Sequence, residues 1–487
     1  MSKIIIQNGN MCELDLPLKF AQKLYNGFAI RHPNAFYLRT RQRGMQNWDG
    51  KIHYITKTGQ FKIGLLPKVY DMCIEMGIKP KVVDMRQPLP KVSKVVTNIG
   101  KYKLRPEQEK AVKAVINNKI GNTPFHIGVL DYTVNAGKTL IMSSLYLSYK
   151  KQLKTLLITN DSDWLNQARE EFKQYLPGED ITFVQGKVLN WSNFTIGMVQ
   201  SISRNMRFYQ KELSQIDMVL VDEADQGGSK QYQNVITRLF NTRIRIGLSG
   251  TIYMSKLAKD KVKNMNLECF FGKAIAEFKL KDSIKKGYST KTVVKMVPGK
   301  PWYGNWESDC ISYKEIYDDS ITNCYTAWLM AYNRLLWNLN QGRYPALVVC
   351  KHIAHCENLY KFFKKKLGDA YNIAYVHVNT SSKLRQQIMK DFREGKIDIL
   401  VSTTIIARGK NFPKLKYLLN AASMLSNEKT IQFLGRLVRT DSSKKKAYVD
   451  DLMYPGNYLS RHARARKRYY QVEKLKVILV KRPKHKL

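Results

Sequence analysis

The chain has 487 residues, enough for two to four domains at roughly 100 to 200 residues each. This length excludes a small disulfide scaffold, and a composition of 44% hydrophobic and 25% charged residues excludes a disordered chain. Lys and Arg number 82 against 39 Asp and Glu, so the formal net charge is +43 and a polyanion such as nucleic acid is the expected partner.

The expected compartment is the cytoplasm. The sequence contains no apolar run of the roughly 18 to 20 residues that span a bilayer, so membrane anchoring does not explain the charge. The first residues lack the apolar core of a signal peptide. Seven scattered cysteines, an odd number, favour a reducing environment.

The first hundred residues predict a small α+β domain, residues 1–98. Helices are expected at 16–29 and 67–76, with turns at Asp49-Gly50 and Thr58-Gly59 between short Tyr, Thr and Ile-rich runs. Its middle interleaves aromatic and basic residues: Arg31, His32, Tyr37, Arg39, Arg41, Arg43, Trp48, Lys51, His53 and Tyr54. Such residues can stack on bases and bind phosphates, although aromatics that alternate along a strand are usually core.

Two series of apolar runs then predict an α/β fold with two tandem parallel sheets. The first series is 125–130, 155–159, 194–199, 218–221 and 244–248. The second is 346–349, 373–378, 397–401, 417–420 and 447–449, after a polar and aromatic separator at 291–304. Runs of this length between helical segments are typical of buried parallel strands. The predicted domains are 99–275 and 276–455, and a basic segment at 456–487 is either a solvated face or an arm on a polyanion.

A phosphate-binding loop is predicted between an apolar strand and the helical run 140–149. In such a loop Lys138 reaches the outer phosphates of a nucleotide and the Thr139 hydroxyl reaches Mg²⁺. Tyr132 stands where the full pattern has its first glycine and Asn135 where a second is common, but Asn tolerates left-handed backbone geometry. The candidate nucleotide-binding residues are Thr133, Asn135, Ala136, Gly137, Lys138 and Thr139.

A second motif supplies carboxylates. The apolar run 218–221 ends in Asp222 and Glu223, at the edge where parallel sheets bind ligands. Asp222 is expected to hold Mg²⁺, partly through water, and Glu223 to orient and deprotonate the attacking water. The two motifs together indicate nucleotide hydrolysis.

Two further segments predict a motor. Ser249-Gly250-Thr251 ends the next strand and would sense the phosphates. The second domain supplies Gln432, Arg436 and Arg439 on one polar helix face. An arginine that crosses a domain cleft neutralises the charge on a transferred phosphoryl group, so ATP would close the domains and hydrolysis would release them. A surface ion pair is the alternative for an isolated arginine.

These motifs, in this order, resemble those of the superfamily 2 helicases from residue 104 to 451. The set comprises 104–108, the phosphate loop, 222–225, 249–251, 402–413 and 432–439. The resemblance implies two RecA-like domains that use ATP and Mg²⁺. It implies that Arg105 and Gln108 belong to the ATP site, with Gln108 on adenine. It assigns Thr403, Gly409 and Asn411 to the interface of ATP and nucleic acid, although the family often has Asp at the position of Asn411.

The resemblance also bears on the substrate. Residues 160–167 and 198–201 match family segments that track one nucleic-acid strand. The letters of 222–225 match DEAD-box RNA helicases, but the other motifs are closer to duplex-DNA translocases and repair helicases. Residues 48–66 are similar to the small leading domain of the UvsW-type bacteriophage recombination helicases, which is thought to engage DNA.

The sequence therefore predicts an ATP-dependent DNA helicase or translocase. Its predicted substrate is branched DNA in phage recombination, repair or replication, in the host cytoplasm if a phage encodes it. Three alternatives stay open: an RNA helicase, a DNA-binding or annealing protein with a degenerate ATP site, and the motor subunit of a restriction nuclease.

Overall fold

The protein divides into two compact units, Met1–Phe278 and Lys279–Leu487. The computed structural model describes residues 2–41, 45–149, 152–160, 162–186, 188–250, 252, 258–299, 312–407, 412–425 and 427–480. Among these residues, helices are too short or too polar to cross a bilayer.

The first unit begins with a four-stranded mixed sheet in the order β5-β2-β1-β6. Its apolar face packs into the same hydrophobic core as the larger sheet that follows, with Ile4 and Ile6 of β1 fully buried. The elements are β1 (Lys3–Ile6), β2 (Met11–Asp15), α1 (Leu18–Gly27), β3 (Ala29–Arg31), α2 (Ala35–Arg41), β4 (Lys51–His53), β5 (Gln60–Lys62), α3 (Leu66–Glu75), β6 (Lys81–Asp84), β7 (Asn98–Ile99) and β8 (Tyr102–Lys103).

The rest of the first unit is an eight-stranded sheet in the order β14-β13-β15-β12-β16-β17-β11-β18. All neighbours are parallel except β13 and β14. The elements are α4 (Pro106–Ile116), β9 (Lys119–Ile120), β10 (Thr123–Pro124), β11 (His126–Tyr132), α5 (Lys138–Ser148), β12 (Thr155–Thr159), α6 (Ser162–Tyr175), β13 (Ile181–Gln185), β14 (Val188–Leu189), β15 (Phe194–Met198), α7 (Val199–Arg204), α8 (Gln210–Ser214), β16 (Met218–Asp222), α9 (Lys230–Ile236), β17 (Ile244–Ser249), α10 (Ala258–Phe271) and β18 (Ala274–Phe278).

The second unit is built on a seven-stranded parallel sheet in the order β21-β22-β20-β23-β24-β19-β25. The elements are α11 (Leu280–Lys285), β19 (Lys291–Pro298), α12 (Tyr313–Tyr317), α13 (Tyr325–Leu339), β20 (Ala346–Val349), α14 (Ile353–Leu367), β21 (Ile373–Val376), α15 (Ser382–Glu394), β22 (Ile399–Ser402), β23 (Tyr417–Asn420), α16 (Asn427–Leu437), β24 (Lys446–Met453), α17 (Asn457–Val472) and β25 (Lys476–Leu479).

The predicted fold class is confirmed: an α+β leading element and two tandem parallel sheets with helices. All ten predicted strands exist, and in the central strands β12, β16 and β20 every side chain is buried. Such fully buried strands produce the continuous apolar runs seen in the sequence, since helices cover both sheet faces.

Two segments differ from the sequence analysis. Residues 291–298 were assigned to the separator, but they form β19, which lies between β24 and β25 inside the second sheet. Lys291 and Lys295 interrupt the apolar pattern of β19, so the sequence does not show this segment as a buried strand. Residues 457–472 of the basic segment form α17, and its Arg466 is fully buried and not part of a solvated face.

A buried ion pair explains the position of Arg466. Its guanidinium donates to both carboxylate oxygens of Asp451 at 2.8 to 3.0 Å, and neither side chain is exposed. Asp451 Oδ2 also accepts from Asn420 and Tyr470. A buried charge needs such complete pairing because desolvation is costly. The basic segment is therefore anchored in the second unit by Arg466.

Candidate nucleotide-binding site

The candidate site lies at the carboxyl edge of the first large sheet, where three adjacent strands end. Strand β17 lies between β16 and β11. At its end, Ser249 pairs with Asp131 of β11, and Leu248 pairs with Asp222 of β16. Because parallel strands end at the same edge, the phosphate loop after β11, the carboxylates after β16 and the serine at the end of β17 lie together. The topology thus brings together three motifs that are far apart in the sequence.

The phosphate loop has the backbone geometry that the sequence predicts. Asn135 has a φ of 64° and Gly137 a φ of 71°, both in the left-handed region. Helix α5 begins directly after Gly137, at Lys138, so its unpaired N–H groups and positive end face the loop. Thr139 is the next residue of that first turn. The departure from glycine at residue 135 therefore leaves the tight turn intact.

Arg105 and Gln108 both form hydrogen bonds to the backbone of the phosphate loop. Gln108 is buried; its Nε2 donates to the carbonyl oxygen of Ala136 at 2.9 Å, and its Oε1 accepts from the backbone N–H of Arg105 at 2.8 Å. Arg105 Nη2 donates to the carbonyl oxygen of Asn135 at 3.3 Å. Both ends of the Gln108 amide therefore bond protein groups, and its contact with adenine stays a prediction.

This contact requires a glycine at residue 137. A Cβ there would lie 2.3 Å from Nε2 of Gln108, in addition to the strain of its positive φ. The sequence predicts Gln108 on adenine and gives no sign of its contact with the loop. Its place three residues after Arg105, the residue before helix α4, is the signal that could have indicated its other bond, to the backbone N–H of Arg105.

Tyr132 occupies the position where many phosphate loops have glycine. Its side chain is fully buried, its ring lies 5.9 Å from that of Phe278, and its hydroxyl donates to the carbonyl oxygen of Glu107 at 2.7 Å. Burial raises the pKa of the Tyr132 hydroxyl above its usual value, so it stays a donor. Tyr132 therefore connects the start of the loop to helix α4 by a hydrogen bond. This contact explains why a tyrosine stands here in place of the first glycine of the motif.

The acidic motif lies beside the loop lysine. Lys138 Nζ is 3.6 Å from Asp222 Oδ1, and the Asp222 side chain is buried. Glu223 follows with a φ of 51°, a conformation that costs energy for a residue with a side chain and that recurs at active sites. Burial, with Asp222 and Glu223 nearby, raises the pKa of the Tyr232 hydroxyl well above its usual value.

These residues fit a magnesium-bound nucleoside triphosphate. Mg²⁺ is usually held by one or two carboxylate or hydroxyl groups together with phosphate oxygens and water. Asp222 is a buried carboxylate within reach of the loop lysine, and Thr139 supplies a hydroxyl in the first turn of α5. Within the described residues, no cluster of three His, Cys, Asp or Glu side chains offers a metal site of its own.

Ser249 connects the acidic motif to the next strand. Its hydroxyl donates to Asp225 Oδ1 at 2.7 Å, and both residues are buried. A Cβ on the following Gly250 would lie 2.9 Å from the Cα of Thr133, so only glycine lets this strand end approach the loop. Thr251, the third residue of the motif, lies outside the described residues.

The second unit carries the other predicted residues. Gln432 and Arg436 lie on α16, and Arg439 follows its end; all three side chains are half-buried. The Thr290 hydroxyl donates to the carbonyl oxygen of Arg439 at 2.9 Å, which fixes the chain after the helix. Thr403 is buried after β22, whereas Gly409 and Asn411 lie outside the described residues.

Comparisons with known proteins define the class. Residues 101–254 match the family "Type III restriction enzyme, res subunit", and residues 329–441 match "Helicase conserved C-terminal domain". The chain is 22% identical over 385 residues to "Putative helicase 22" of Sulfolobus islandicus filamentous virus, covering 72% of this chain and 64% of that protein. It is 23% identical over 323 residues to "Competence protein ComFA" of Bacillus subtilis, covering 66% and 61%.

Two solved structures with TM-scores above 0.5 share the fold. LlaBIII, an ATP-dependent Type ISP restriction-modification enzyme bound to DNA, aligns with a TM-score of 0.55 and 13% identity over 86% of this chain and 34% of that one. Mss116p bound to ssRNA and AMP-PNP aligns with a TM-score of 0.55 and 14% identity over 82% of both chains. T4 UvsW aligns with a TM-score of 0.45 and 19% identity over 98% of both chains.

The two large sheets are therefore the tandem RecA-like domains that the sequence predicts. The two family matches, at residues 101–254 and 329–441, indicate a helicase of superfamily 2, the class that the sequence motifs predict. The chain spans 64% and 61% of the length of the viral and Bacillus relatives.

Proposed function

We propose that this protein is an ATP-dependent DNA helicase or translocase that acts on branched DNA, at forks or junctions, in phage recombination, repair or replication. ATP and Mg²⁺ are its cofactors. In this proposal residues 1–98 form an added DNA-binding domain, and the two large sheets with their helices form the motor domains. The boundary between the motor domains lies at 278/279 and not at 275/276, and the second motor domain extends past 455, because β18 pairs with β11 and β25 pairs with β19. Arg436 would stabilise the transferred phosphoryl group.

The observation that carries the proposal is an exposed basic and aromatic helix beside a helicase motor. On α2, Phe36 is 80% exposed and Tyr37 is 54% exposed. The Arg41 guanidinium lies 4.9 Å from the Tyr37 ring centre, and Arg39 is exposed on the same helix, three residues after Phe36. An alternation of aromatics along a strand would have indicated core, but this segment is a helix, and its aromatic side chains face solvent. Solvent-facing aromatics with arginines suit stacking on bases and phosphate contact.

The choice of DNA rests on two further points. The first RecA-like domain matches a restriction-enzyme family, and LlaBIII is bound to DNA. The net charge of +43 suits a long polyanion. An RNA helicase is the second candidate, because Mss116p is bound to ssRNA. The name of the matched family also keeps open the motor subunit of a restriction nuclease, in which a partner would supply cleavage.

ATP turnover on a panel of nucleic acids tests the proposal. The panel holds single-stranded, duplex, forked and four-way DNA, with RNA of the same sequences. We expect stimulation by DNA, strongest with forked or four-way DNA, and unwinding of the branched forms. Log affinity for duplex DNA should fall with log salt at a slope of about −0.9 per phosphate contacted. Stimulation by RNA alone would establish the RNA helicase, and no stimulation by either would remove the motor assignment.

A further inference from the structure

A basic groove lies on the first unit, formed by the segment that joins α7 to α8 and by the end of α9. Its volume is about 290 Å³, and its lining includes Arg204, Arg207, Phe208 and Arg238. Met206 and Arg238 also line an adjoining depression of about 220 Å³. None of these residues belongs to the helicase motifs described above.

The charge of this groove is unbalanced. Arg204, Arg207 and Arg238 are all exposed. Among the described residues, no carboxylate forms an ion pair with any of the three, and no Asp or Glu lines the groove or the adjoining depression. Three arginines that line one groove with no carboxylate beside them create a positive local potential, which favours binding of an anion with several negative groups.

Phe208 adds a second feature of the same kind. It is 78% exposed, although the neighbouring Tyr209 is buried. A phenylalanine ring exposed beside arginines offers a flat face on which a base can stack while the arginines bind phosphates. An acidic peptide would use the charge but would not need the ring. The combination therefore favours a nucleic-acid strand with unpaired bases.

The groove also lies close to the two segments, 160–167 and 198–201, that the sequence resemblance assigns to binding of one nucleic-acid strand. Gln200 Nε2 donates to the carbonyl oxygen of Asn160 at 3.3 Å, so the segments after β12 and β15 meet there. Helix α7 starts at Val199, beside Gln200, and ends at Arg204, at the groove. Its six residues span about 9 Å at 1.5 Å per residue, a distance that one or two nucleotides of an extended strand can cover.

We propose that this groove binds single-stranded DNA that continues from the ends of β12 and β15, with Arg204, Arg207 and Arg238 on phosphates and Phe208 stacked on a base. The inference rests on the proposed DNA-dependent motor and extends its strand-binding surface down the side of the first unit. Affinity from these contacts is independent of base sequence, because they reach only phosphates and a ring face.

The test uses the full chain and a dT oligonucleotide, with binding followed by fluorescence anisotropy. Replacing the three arginines by Ala should weaken binding at least 10-fold and reduce the salt slope by about 2, since each phosphate contact on a single strand contributes about 0.7. Phe208→Ala should weaken binding about 5-fold or more. ATP turnover without DNA should not change in either variant.

A matched control removes three exposed lysines from α14 of the second unit: Lys361, Lys365 and Lys366, each replaced by Ala. This control lowers the net charge by the same amount and should change affinity much less. If the arginine variant and the lysine variant bind dT equally, the groove is not a DNA site. A loss confined to duplex DNA would also overturn the single-strand assignment. If DNA does not stimulate the parent protein at all, the proposed function itself fails.

Discussion

The guanidinium of Arg245 donates a hydrogen bond of 2.8 Å to the side-chain oxygen of Asn10, which lies 235 positions earlier in the chain. Arg245 is fully buried in β17, and it also donates to the carbonyl oxygens of Gly9 at 2.7 Å and Phe270 at 3.3 Å. In the described part of the chain no carboxylate pairs with it, and burial lowers the pKa of Arg245 to about 9. The turn after β1 in the leading sheet therefore supplies two of the three acceptors of a buried cation in the larger sheet.

The first prediction concerns this link. Asn10→Ala should lower the free energy of unfolding by about 1.5 to 3 kcal/mol, because it removes an acceptor from a buried charged group. Asn26→Ala, at an exposed position of α1, is the control and should have little effect. Thermal unfolding of both variants checks this. Equal midpoints in the two variants would mean that water or a neighbouring carbonyl replaces Asn10.

The same contact limits how the leading domain can be studied. Removal of residues 1–98 would take away both Gly9 and Asn10, two of the three acceptors of Arg245. It would also expose the apolar residues of the larger sheet that share a core with the leading sheet, which destabilises what remains. Point changes on the exposed surface are therefore a cleaner test of DNA contact than truncation.

The second prediction separates two roles of Gln108. If it only supports the phosphate loop through Ala136, Gln108→Ala should raise KM for ATP and GTP by the same factor, since the loop serves all triphosphates. If the amide turns to read adenine, the variant should lose its preference for ATP over GTP. Steady-state turnover with both nucleotides distinguishes these outcomes. Gln108→Glu serves as a control of similar size that keeps an acceptor but removes the donor.

The third prediction concerns the hydrolytic residues. Lys138→Ala and Glu223→Gln should each abolish measurable ATP turnover while DNA binding at low salt persists, because the phosphate contacts to DNA lie elsewhere. Glu223→Gln keeps the shape of the side chain but not its basicity. Near-normal turnover in Lys138→Ala would contradict the assigned role of the loop, and loss of DNA binding in both variants would indicate misfolding instead.

The sequence predicts those features of the fold and the site whose residue pattern reflects burial or a chemical role. Buried strands such as β12 and β16 were predicted because both faces are covered and their apolar runs are continuous. The phosphate loop and the carboxylates Asp222 and Glu223 were predicted because binding of phosphate and Mg²⁺ requires these residue types directly after a strand. The burial of Arg245 and Arg466 was not predicted, because the residue type alone does not distinguish a buried arginine from an exposed one. Only the tertiary partners, Asn10 and Asp451, distinguish them.

The fourth prediction concerns acid stability. His355 is buried, bonds the hydroxyl of Tyr317 at 3.1 Å, and burial lowers its pKa from 6.5 to about 3. Between these values the unfolded chain binds a proton that the folded chain does not, so lowering the pH favours unfolding. The contribution is at most ~1.4 kcal/mol per pH unit.

His355→Gln tests this directly. The variant should lose less stability than the parent between pH 6.5 and pH 4, even if it is less stable at pH 7. The measurement is the thermal midpoint against pH. Parallel curves for the parent and His355→Gln would show that other groups control acid unfolding.

The last prediction concerns the leading domain. A pair of RecA-like domains can in principle bind ATP and move along a strand, so an added basic helix is better explained as a contact to a second duplex arm. Arg39 and Arg41 lie on α2 and Lys51 on β4, and all three are exposed, so their joint replacement by Ala disturbs no core. The triple variant should keep DNA-stimulated ATP turnover but bind and unwind forked DNA more weakly, whereas binding to single strands should change little. Gel-shift and unwinding assays on forked and single-stranded DNA measure both effects. If the triple variant binds and unwinds forks like the parent, these charges are a solvated face, and the leading domain serves to hold β17 through Arg245.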